Sequence, residues 1–232
     1  MSSAAERGAA SSGAASDDAR RADNGVGNLP LVAMYADESC LGNGREGENP
    51  GGAGVLVEYQ KADGEIVRRD VWISEPATTN NRMALRSVIE GFRAIAHKGG
   101  RFRVVFTTDS RYIVDGMTQW VHDWARRGWK RKSGPIENLE LWQQAVWAVN
   151  GHAVEWRWVR GHNGHAQNEY ANHLAIAAAG EQTRSEGLVE SGYAAWASKV
   201  SAVQSRMRLE PFPDAAKFRA AARLPYERTG QS

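Results

Sequence analysis

The order of short apolar runs is the feature that most constrains the fold of this chain of 232 residues. Three strand-like runs follow one another, and the second and third are joined by Ala62-Asp-Gly64, a typical hairpin turn. Strands and helices then alternate. The predicted elements are strands at 31–37, 53–59 and 65–73, a helix from Thr78 to about His97, a strand at 102–108, helices between 110 and 149, a strand at 153–159 and a helix at 166–179. This order predicts an α/β fold with a mixed sheet that has helices on both faces.

The composition predicts a cytoplasmic protein with a sizeable core. Hydrophobic residues make up 42% of the chain, and the net charge of +2 says little about partners. The single cysteine, Cys40, excludes an internal disulfide framework and fits a reducing compartment. No apolar run approaches transmembrane length, and the first residues lack the apolar core of a secretory signal. We therefore expect no membrane association.

Changes in composition divide the chain into three parts. Residues 1–28 are rich in Ala, Ser and Gly and predict a disordered tail, since they offer little apolar surface to bury. Residues 29–180 form the predicted domain, and residues 181–232 form a partly helical C-terminal extension. Within the extension, 193–207 has an apolar stripe at helical spacing before Pro211. The extension either packs on the domain or is partly disordered, or its helix docks a protein partner.

Two aspartates follow apolar strands. Asp37 ends the run 31–36, and Asp109 ends the run 103–108. If these strands are adjacent and parallel, both carboxylates emerge at one edge of the sheet, where they would suit a hard divalent cation. Each aspartate alone also fits a turn or a helix cap, and Asp109 precedes a helix that begins at Arg111.

Seven motifs in one order extend this pattern across the domain. They are Asp37-Glu-Ser-Cys-Leu-Gly-Asn43, Thr78-Thr-Asn-Asn-Arg-Met83, Thr108-Asp-Ser-Arg-Tyr112, Thr118-Gln-Trp-Val-His-Asp-Trp124, Arg127-Gly-Trp-Lys130, Asn138-Leu-Glu-Leu-Trp142 and Trp158-Val-Arg-Gly-His-Asn-Gly-His165. Together they closely resemble type 1 ribonuclease H, which cuts RNA in RNA–DNA hybrids. The resemblance covers about residues 31–180 and implies a ribonuclease H-like mixed sheet of about five strands, flanked by helices.

The resemblance also implies a mechanism and a metal site. Members of this family are endonucleases in which four acidic residues hold two Mg²⁺ (or Mn²⁺) ions, and a histidine on a mobile loop assists product release or proton transfer. Asp37 matches the first acid, Asp109 the third and His162 the histidine. The flanking Gly161 and Gly164 would allow the loop to move.

Two matched positions depart from the family. The second acid is replaced by Ala84 and the fourth by Asn172, ten residues after His162. Asn172 keeps a carbonyl oxygen and would be a weak neutral ligand, whereas Ala84 offers none. Because the missing glutamate also contacts the RNA 2′-hydroxyl in the family, these departures predict a depleted metal site with reduced activity and weaker RNA discrimination.

Another carboxylate could replace the missing ones. Glu38 directly follows Asp37, but side chains alternate along a strand, so Glu38 should point away unless the strand has already ended. It is nevertheless a candidate metal ligand. Four other glutamates have ordinary surface or loop explanations: Glu46, Glu48, Glu90 and Glu169.

Two groups of residues predict contacts with nucleic acid. The first is a basic cluster that resembles the basic protrusion with which many family members grip the hybrid: Arg126, Arg127, Lys130, Arg131 and Lys132. Such side chains neutralise phosphates without reading sequence. The second group would contact sugar and base edges in a shallow minor groove: Asn43, Asn80, Asn81 and Arg111. A solvated helix would also explain the first group, and helix caps would explain part of the second. Trp120 and Trp124, spaced i,i+4, favour packing over base stacking.

Two functions from different classes therefore remain open. The first is a ribonuclease H, expected to be a monomer, with an impaired site. The second is a module that binds RNA–DNA hybrids without turnover, in which the basic protrusion is kept and the catalytic centre is lost. The substitutions at Ala84 and Asn172 fit natural divergence and deliberate inactivation equally well.

Overall fold

A computed structural model describes residues 27–42, 49–201 and 207–225. The strands are β1 (Leu31–Cys40), β2 (Gly51–Gln60), β3 (Ile66–Glu75), β4 (Arg103–Thr108), β5 (Ala153–Trp158) and β6 (Val189–Glu190). The α-helices are α1 (Asn80–Ile95), α2 (Arg111–Asp115), α3 (Val121–Arg126), α4 (Leu139–Val149), α5 (Ala166–Glu181) and α6 (Tyr193–Ser201). A 3₁₀ turn, His97–Gly99, follows α1, and a π-helical turn, Gly116–Trp120, joins α2 to α3.

The strands form one mixed sheet in the order β5-β4-β1-β2-β3-β6. β1 pairs parallel with β4, and β4 pairs parallel with β5. The other pairs are antiparallel. The fold is therefore α/β as predicted, but the expected number of five strands is wrong. The sixth strand pairs Val189 and Glu190 with Asp70 and Arg69 of β3. A strand of two residues is too short to show an alternating pattern, so the sequence gives no signal for it.

Helices cover both faces of the sheet, so β1 is buried on both faces. Met34 and Ala36 belong to the larger core cluster, together with residues of α1 and α4. Ala33 and Tyr35 point to the opposite cluster, which includes Tyr170 of α5. Successive side chains on a strand alternate between faces, so one continuous apolar run serves both cores. This arrangement fixes the C-terminal end of β1 between the two helical layers.

The two described parts of the C-terminal extension pack on the domain. In α6, Tyr193 and Trp196 form ring contacts with Tyr170 of α5, at centroid distances of 5.2 Å each. We call residues 207–225 the C-terminal strap. It pairs with the chain beside α5 through Arg208 and reaches the edge strand β5, where the Ala221 N–H donates to the Val154 carbonyl at 2.8 Å.

Some expectations fall partly or wholly outside the described residues. The predicted N-terminal tail does so except for its last two residues, 27 and 28. The predicted helix at 193–207 is observed as Tyr193–Ser201, with 202–206 outside the description and Met207 not helical. None of the helices in the described ranges has the length and hydropathy of a membrane span.

Candidate active site

Three carboxylates meet where β1 passes the end of β4. The last parallel pair between these strands is Ala36 with Thr108, so Asp37 and Asp109 are each one residue beyond it. Glu38 lies next to Asp37 in the same strand. One ligand oxygen from each of Asp37, Glu38 and Asp109 lies within 4.8 Å of the others. The strand order thus brings together both aspartates singled out in the sequence.

The geometric expectation that Glu38 points away from Asp37 is wrong. Alternation sends neighbouring side chains to opposite faces, but it separates them only while a strand continues on either side. β4 ends at Thr108, so beyond Ala36 strand β1 pairs with β2 alone. The open edge lets Glu38 and Asp37 approach Asp109 together, although β1 itself continues to Cys40.

Crowding and burial disfavour the charged forms of all three acids. Burial first, and the Asp109 charge second, raise the pKa of Asp37 to about 8, although the Glu38 N–H donates to its Oδ1 at 2.7 Å. Burial and the charges of Asp37 and Asp109 raise the pKa of Glu38 well above its ordinary value. Burial also raises the pKa of Asp109. Three buried carboxyls this close together are stable as anions only when a cation neutralises their charge.

A divalent cation fits this donor set. The Oε2 atom of Glu38 is buried and has no hydrogen-bond partner among the described residues. A buried, unpaired carboxylate oxygen is costly unless something binds it. All three groups are oxygen donors, the type of ligand that Mg²⁺ and Mn²⁺ prefer. Asp37, Glu38 and Asp109 are therefore the residues able to hold a metal here.

Asn168 is a site residue that the sequence reasoning missed. Its side-chain amide donates to the Ala36 carbonyl at 3.2 Å, and beside Asp37 and Asp109 it partly offsets the burial that raises the pKa of both carboxyls. It is buried in the first turn of α5. Asn172, the predicted neutral ligand, lies one turn further on the same helix face and is partly exposed. The sequence signal that could have identified Asn168 is its position four residues before Asn172, which puts the two side chains on one face of a helix.

Ala84 takes part in packing. It lies on α1, is 0% exposed and belongs to the larger core cluster. Its carbonyl accepts a hydrogen bond from the Ser87 hydroxyl at 2.7 Å. A methyl group in this position provides no ligand, so the acid that the family places there comes from elsewhere or is missing.

His162 lies on an exposed loop beside the carboxylates. Its φ is 51°, a left-handed conformation, and its side chain is 76% exposed. Its Nδ1 lies 3.9 Å from Oε2 of Glu169, whose charge raises the pKa of Asp37 and Asp109. Gly161 packs so closely on the site that a Cβ there would lie 2.1 Å from Oδ2 of Asp109. The glycine therefore lets the loop pass directly over the carboxylate.

The predicted basic protrusion forms an exposed surface after the π-helical turn. Arg126, Arg127, Lys130, Arg131 and Lys132 are all exposed. Arg126 is paired with Asp123, and Arg131 donates to the Gly134 carbonyl at 3.3 Å. Trp120 and Trp124 have ring contacts with Trp142, at centroid distances of 6.3 Å and 5.6 Å. These tryptophans anchor the protrusion to the core, which agrees with their predicted packing role.

The remaining predicted contact residues that are described stand at the starts of two helices, α1 and α2. Asn80 and Asn81 are exposed in the first turn of α1, where Thr79 is the N-cap and accepts from the Arg82 N–H at 3.4 Å. The Arg111 guanidinium lies 4.2 Å from the centroid of the Trp158 ring. Asn43, Glu46 and Glu48 lie outside the described residues.

Comparison with known proteins identifies the family. The RNase H family model matches residues 30–180. The ribonuclease H of Erythrobacter litoralis is 44% identical over 156 residues, which cover 67% of this chain and 100% of that protein. The chain belongs to the ribonuclease H family. The ribonuclease H of Photorhabdus luminescens is 40% identical over 158 residues, covering 67% of this chain and 92% of that protein.

Solved structures agree with this membership. The chain is 79% identical to LC9-RNase H1, a type 1 RNase H with the type 2 active-site motif, and matches its crystal structure with a TM-score of 0.82 over 88% of this chain and 98% of that one. The PFV RNase H domain, 16% identical, gives a TM-score of 0.55 over 66% of this chain and 97% of that domain, which shows the shared fold alone.

Proposed function

We propose that this ribonuclease H hydrolyses the RNA strand of RNA–DNA hybrids as an endonuclease, with two Mg²⁺ or Mn²⁺ ions. The observation that carries the proposal is the cluster of Asp37, Glu38 and Asp109, whose ligand oxygens lie within 4.8 Å of one another. Bound cations of this type activate water for attack and stabilise the leaving oxygen. The family membership supports the reaction, and the cluster supports a working site.

Glu38 takes the place of the acid that is missing at Ala84. Its buried Oε2, which has no hydrogen-bond partner within the described ranges, is able to coordinate a cation. LC9-RNase H1, 79% identical, has the type 2 active-site motif within a type 1 enzyme. We infer that this chain shares that motif and that Glu38 is part of it. The site is then rearranged, and the depletion predicted from the sequence is limited to the neutral Asn172.

The other residues hold the acids and the substrate. Asn168 orients Asp37 and Asp109 through its amide. His162, on its exposed loop, is placed to move a proton at the scissile phosphate or to help the product leave. The exposed cations of the protrusion neutralise phosphates of the hybrid, and Asn80, Asn81 and Arg111 contact its sugar edges. Asn43 remains a predicted contact of the hybrid, and Asn172 remains a predicted weak neutral ligand of the metal.

A cleavage assay tests the proposal. A hybrid labelled on its RNA strand is incubated with the chain over a range of Mg²⁺ and Mn²⁺ concentrations, with duplex RNA and duplex DNA as alternative substrates. We expect cleavage of the hybrid RNA and its loss in Asp109→Asn, while Asp123→Asn, an exposed aspartate paired with Arg126, keeps full activity. Binding of the hybrid without cleavage under any metal condition would instead establish the non-catalytic binding module.

We also propose that the protein acts as a cytoplasmic monomer in which residues 29–180 form the catalytic domain. Cys40 is a free thiol, as a reducing compartment requires. Sedimentation at micromolar concentration checks the oligomeric state, and a stable dimer would refute this part of the proposal.

A further inference from the structure

The C-terminal strap binds the loop that carries His162. The Arg208 N–H donates to the Gly164 carbonyl at 2.8 Å, and the Ala166 N–H donates to the Arg208 carbonyl at 3.0 Å. These two bonds make a parallel bridge between His165 and Arg208. The strap thus continues, at the end of the histidine loop, the backbone pairing that a neighbouring strand would give.

Glu210 of the strap lies at the centre of this contact. Its Oε2 is 2.7 Å from Nε2 of His165, and its Oε1 is 3.5 Å from Arg157 of β5. Its backbone is fixed by Gln167, which donates to the Glu210 carbonyl at 2.7 Å and accepts from the Glu210 N–H at 3.0 Å. One residue therefore joins the histidine loop, the start of α5 and the edge strand.

The His165 ring transmits this contact towards the carboxylates. Its Nδ1 accepts from the Asn168 N–H at 3.3 Å as the cap of α5, so its Nε2 carries a proton and donates to Glu210. The Asn168 side chain donates to the carbonyl of Ala36, the residue before Asp37, at 3.2 Å and lies beside both Asp37 and Asp109. A path of hydrogen bonds therefore runs from Glu210 through His165 and Asn168 to the backbone of β1, one residue before Asp37.

Among the described residues, few hydrogen bonds hold the part of the loop between Gly161, which packs on Asp109, and Gly164. His162 and Gly164 both have left-handed backbone, with φ of 51° and 77°. The His162 side chain is 76% exposed, and the Gly164 N–H reaches Glu169 only at 3.4 Å. At the end of the loop, the strap adds bonds of 2.8 Å and 3.0 Å, and α5 adds one of 2.9 Å from the Glu169 N–H to the His165 carbonyl. Loop position in such a case depends on the segment that braces it.

We propose that Glu210 is a positioning residue for this ribonuclease H, acting through His165 on the His162 loop and on Asn168. The inference rests on the proposed function for its catalytic consequence. Glu210 lies in the strap, beyond residues 30–180 that match the family model, whereas its partners His165 and Arg157 lie within them. Substrate binding by the basic protrusion is separate from this contact, so the effect falls on turnover.

Steady-state kinetics on the labelled hybrid test the proposal with the full chain. We expect Glu210→Ala to lower kcat about fivefold with KM unchanged, because the loop spends less time in its productive position. Glu210→Gln should recover most of kcat, since an amide oxygen still accepts from His165. Asp214→Ala is the matched control: it removes an exposed carboxylate of the same strap, 4.0 Å from Lys217.

Hydrogen exchange at the Ala166 amide gives a readout independent of cleavage. We expect faster exchange in Glu210→Ala and parent-like exchange in Glu210→Gln. An unchanged kcat in Glu210→Ala, or an effect confined to KM, overturns the proposal. If the parent itself does not cleave, the proposed function fails, and unchanged exchange at Ala166 then overturns the bracing role as well. Glu210→Thr, with a side chain too short to reach His165, replaces Glu210→Ala if that variant does not fold.

Discussion

Asp37→Asn should stabilise the protein in the absence of metal, although it removes a catalytic ligand. Asp37 is buried beside Glu38 and Asp109, and its pKa is raised from the ordinary 3.8 to about 8. An asparagine at this position keeps an Oδ1 that accepts from the Glu38 N–H, which now donates at 2.7 Å. The substitution therefore removes the charge and keeps the local hydrogen bond.

The raised pKa sets the sign of the effect and its pH window. Between pH 3.8 and about 8, the folded protein keeps a proton on Asp37, whereas the unfolded chain has already released it. The free energy of unfolding therefore falls as the pH rises through this window. Each pH unit in the window lowers the free energy of unfolding of the parent by about 1.4 kcal/mol. Relaxation of the site reduces the total, so we expect Asp37→Asn to be more stable than the parent by on the order of 2–4 kcal/mol at pH 7. For a chain of this size, that corresponds to roughly 5–10 °C in Tm.

Thermal unfolding followed by circular dichroism in EDTA measures this difference. Asp37→Asn should melt above the parent at pH 7, and the gap should close near pH 4, where Asp37 is protonated in both states. Saturating Mn²⁺ should reduce or reverse the gap, because the metal stabilises the parent more than the variant. Asp123→Asn, at an exposed aspartate, should leave Tm unchanged. Equal or lower Tm for Asp37→Asn in EDTA at pH 7 would refute the reasoning.

Three further results are expected. Gly161→Ala should reduce hybrid cleavage at least about tenfold in a folded protein, because its Cβ would lie 2.1 Å from Oδ2 of Asp109; parent-like turnover would count against this close approach. Ala84→Glu should lower the unfolding free energy by about 2–4 kcal/mol, because it buries a charge in the core. It should not raise kcat, because Glu38 already supplies the acid. Urea titration measures the first effect and steady-state kinetics the second, and a clear gain in kcat would contradict the expectation. Lys130→Ala should raise KM and reduce the salt dependence of hybrid binding by about one counterion with kcat kept, and an unchanged salt slope would remove this side chain from the phosphate contacts.

The fold and half of the site could be predicted because they depend on long, regular patterns. The strand order follows from apolar runs of about six residues, and Asp37 and Asp109 follow from the ends of two of these runs. The two-residue β6 and the strap at 207–225 carry no comparable periodicity, so their positions and pairing could not be predicted, although packing of the extension on the domain was one of the expectations. Their places depend on long-range backbone hydrogen bonds, which leave no local mark in a sequence.

The rest of the site was hidden by its dependence on tertiary context. The alternation rule applies within a sheet, and it misplaced Glu38 because the neighbouring strand ends at Thr108. Asn168 resembles any polar residue in the first turn of a helix, and only the packing of α5 on β1 brings its amide to Asp37. Glu210 lies 45 residues from His165 in a segment that composition marks as an extension.

Hybrid cleavage by Glu38→Gln, measured across Mg²⁺ and Mn²⁺ concentrations, tests most directly whether Glu38 supplies the missing acid. The matched control is Glu90→Gln, which neutralises a glutamate of α1 that pairs with Arg93 at 3.3 Å. We predict that Glu38→Gln loses at least about 100-fold in kcat/KM at low Mg²⁺ and recovers in part at high Mn²⁺, while Glu90→Gln matches the parent. Parent-like cleavage by Glu38→Gln at every metal concentration would contradict the account.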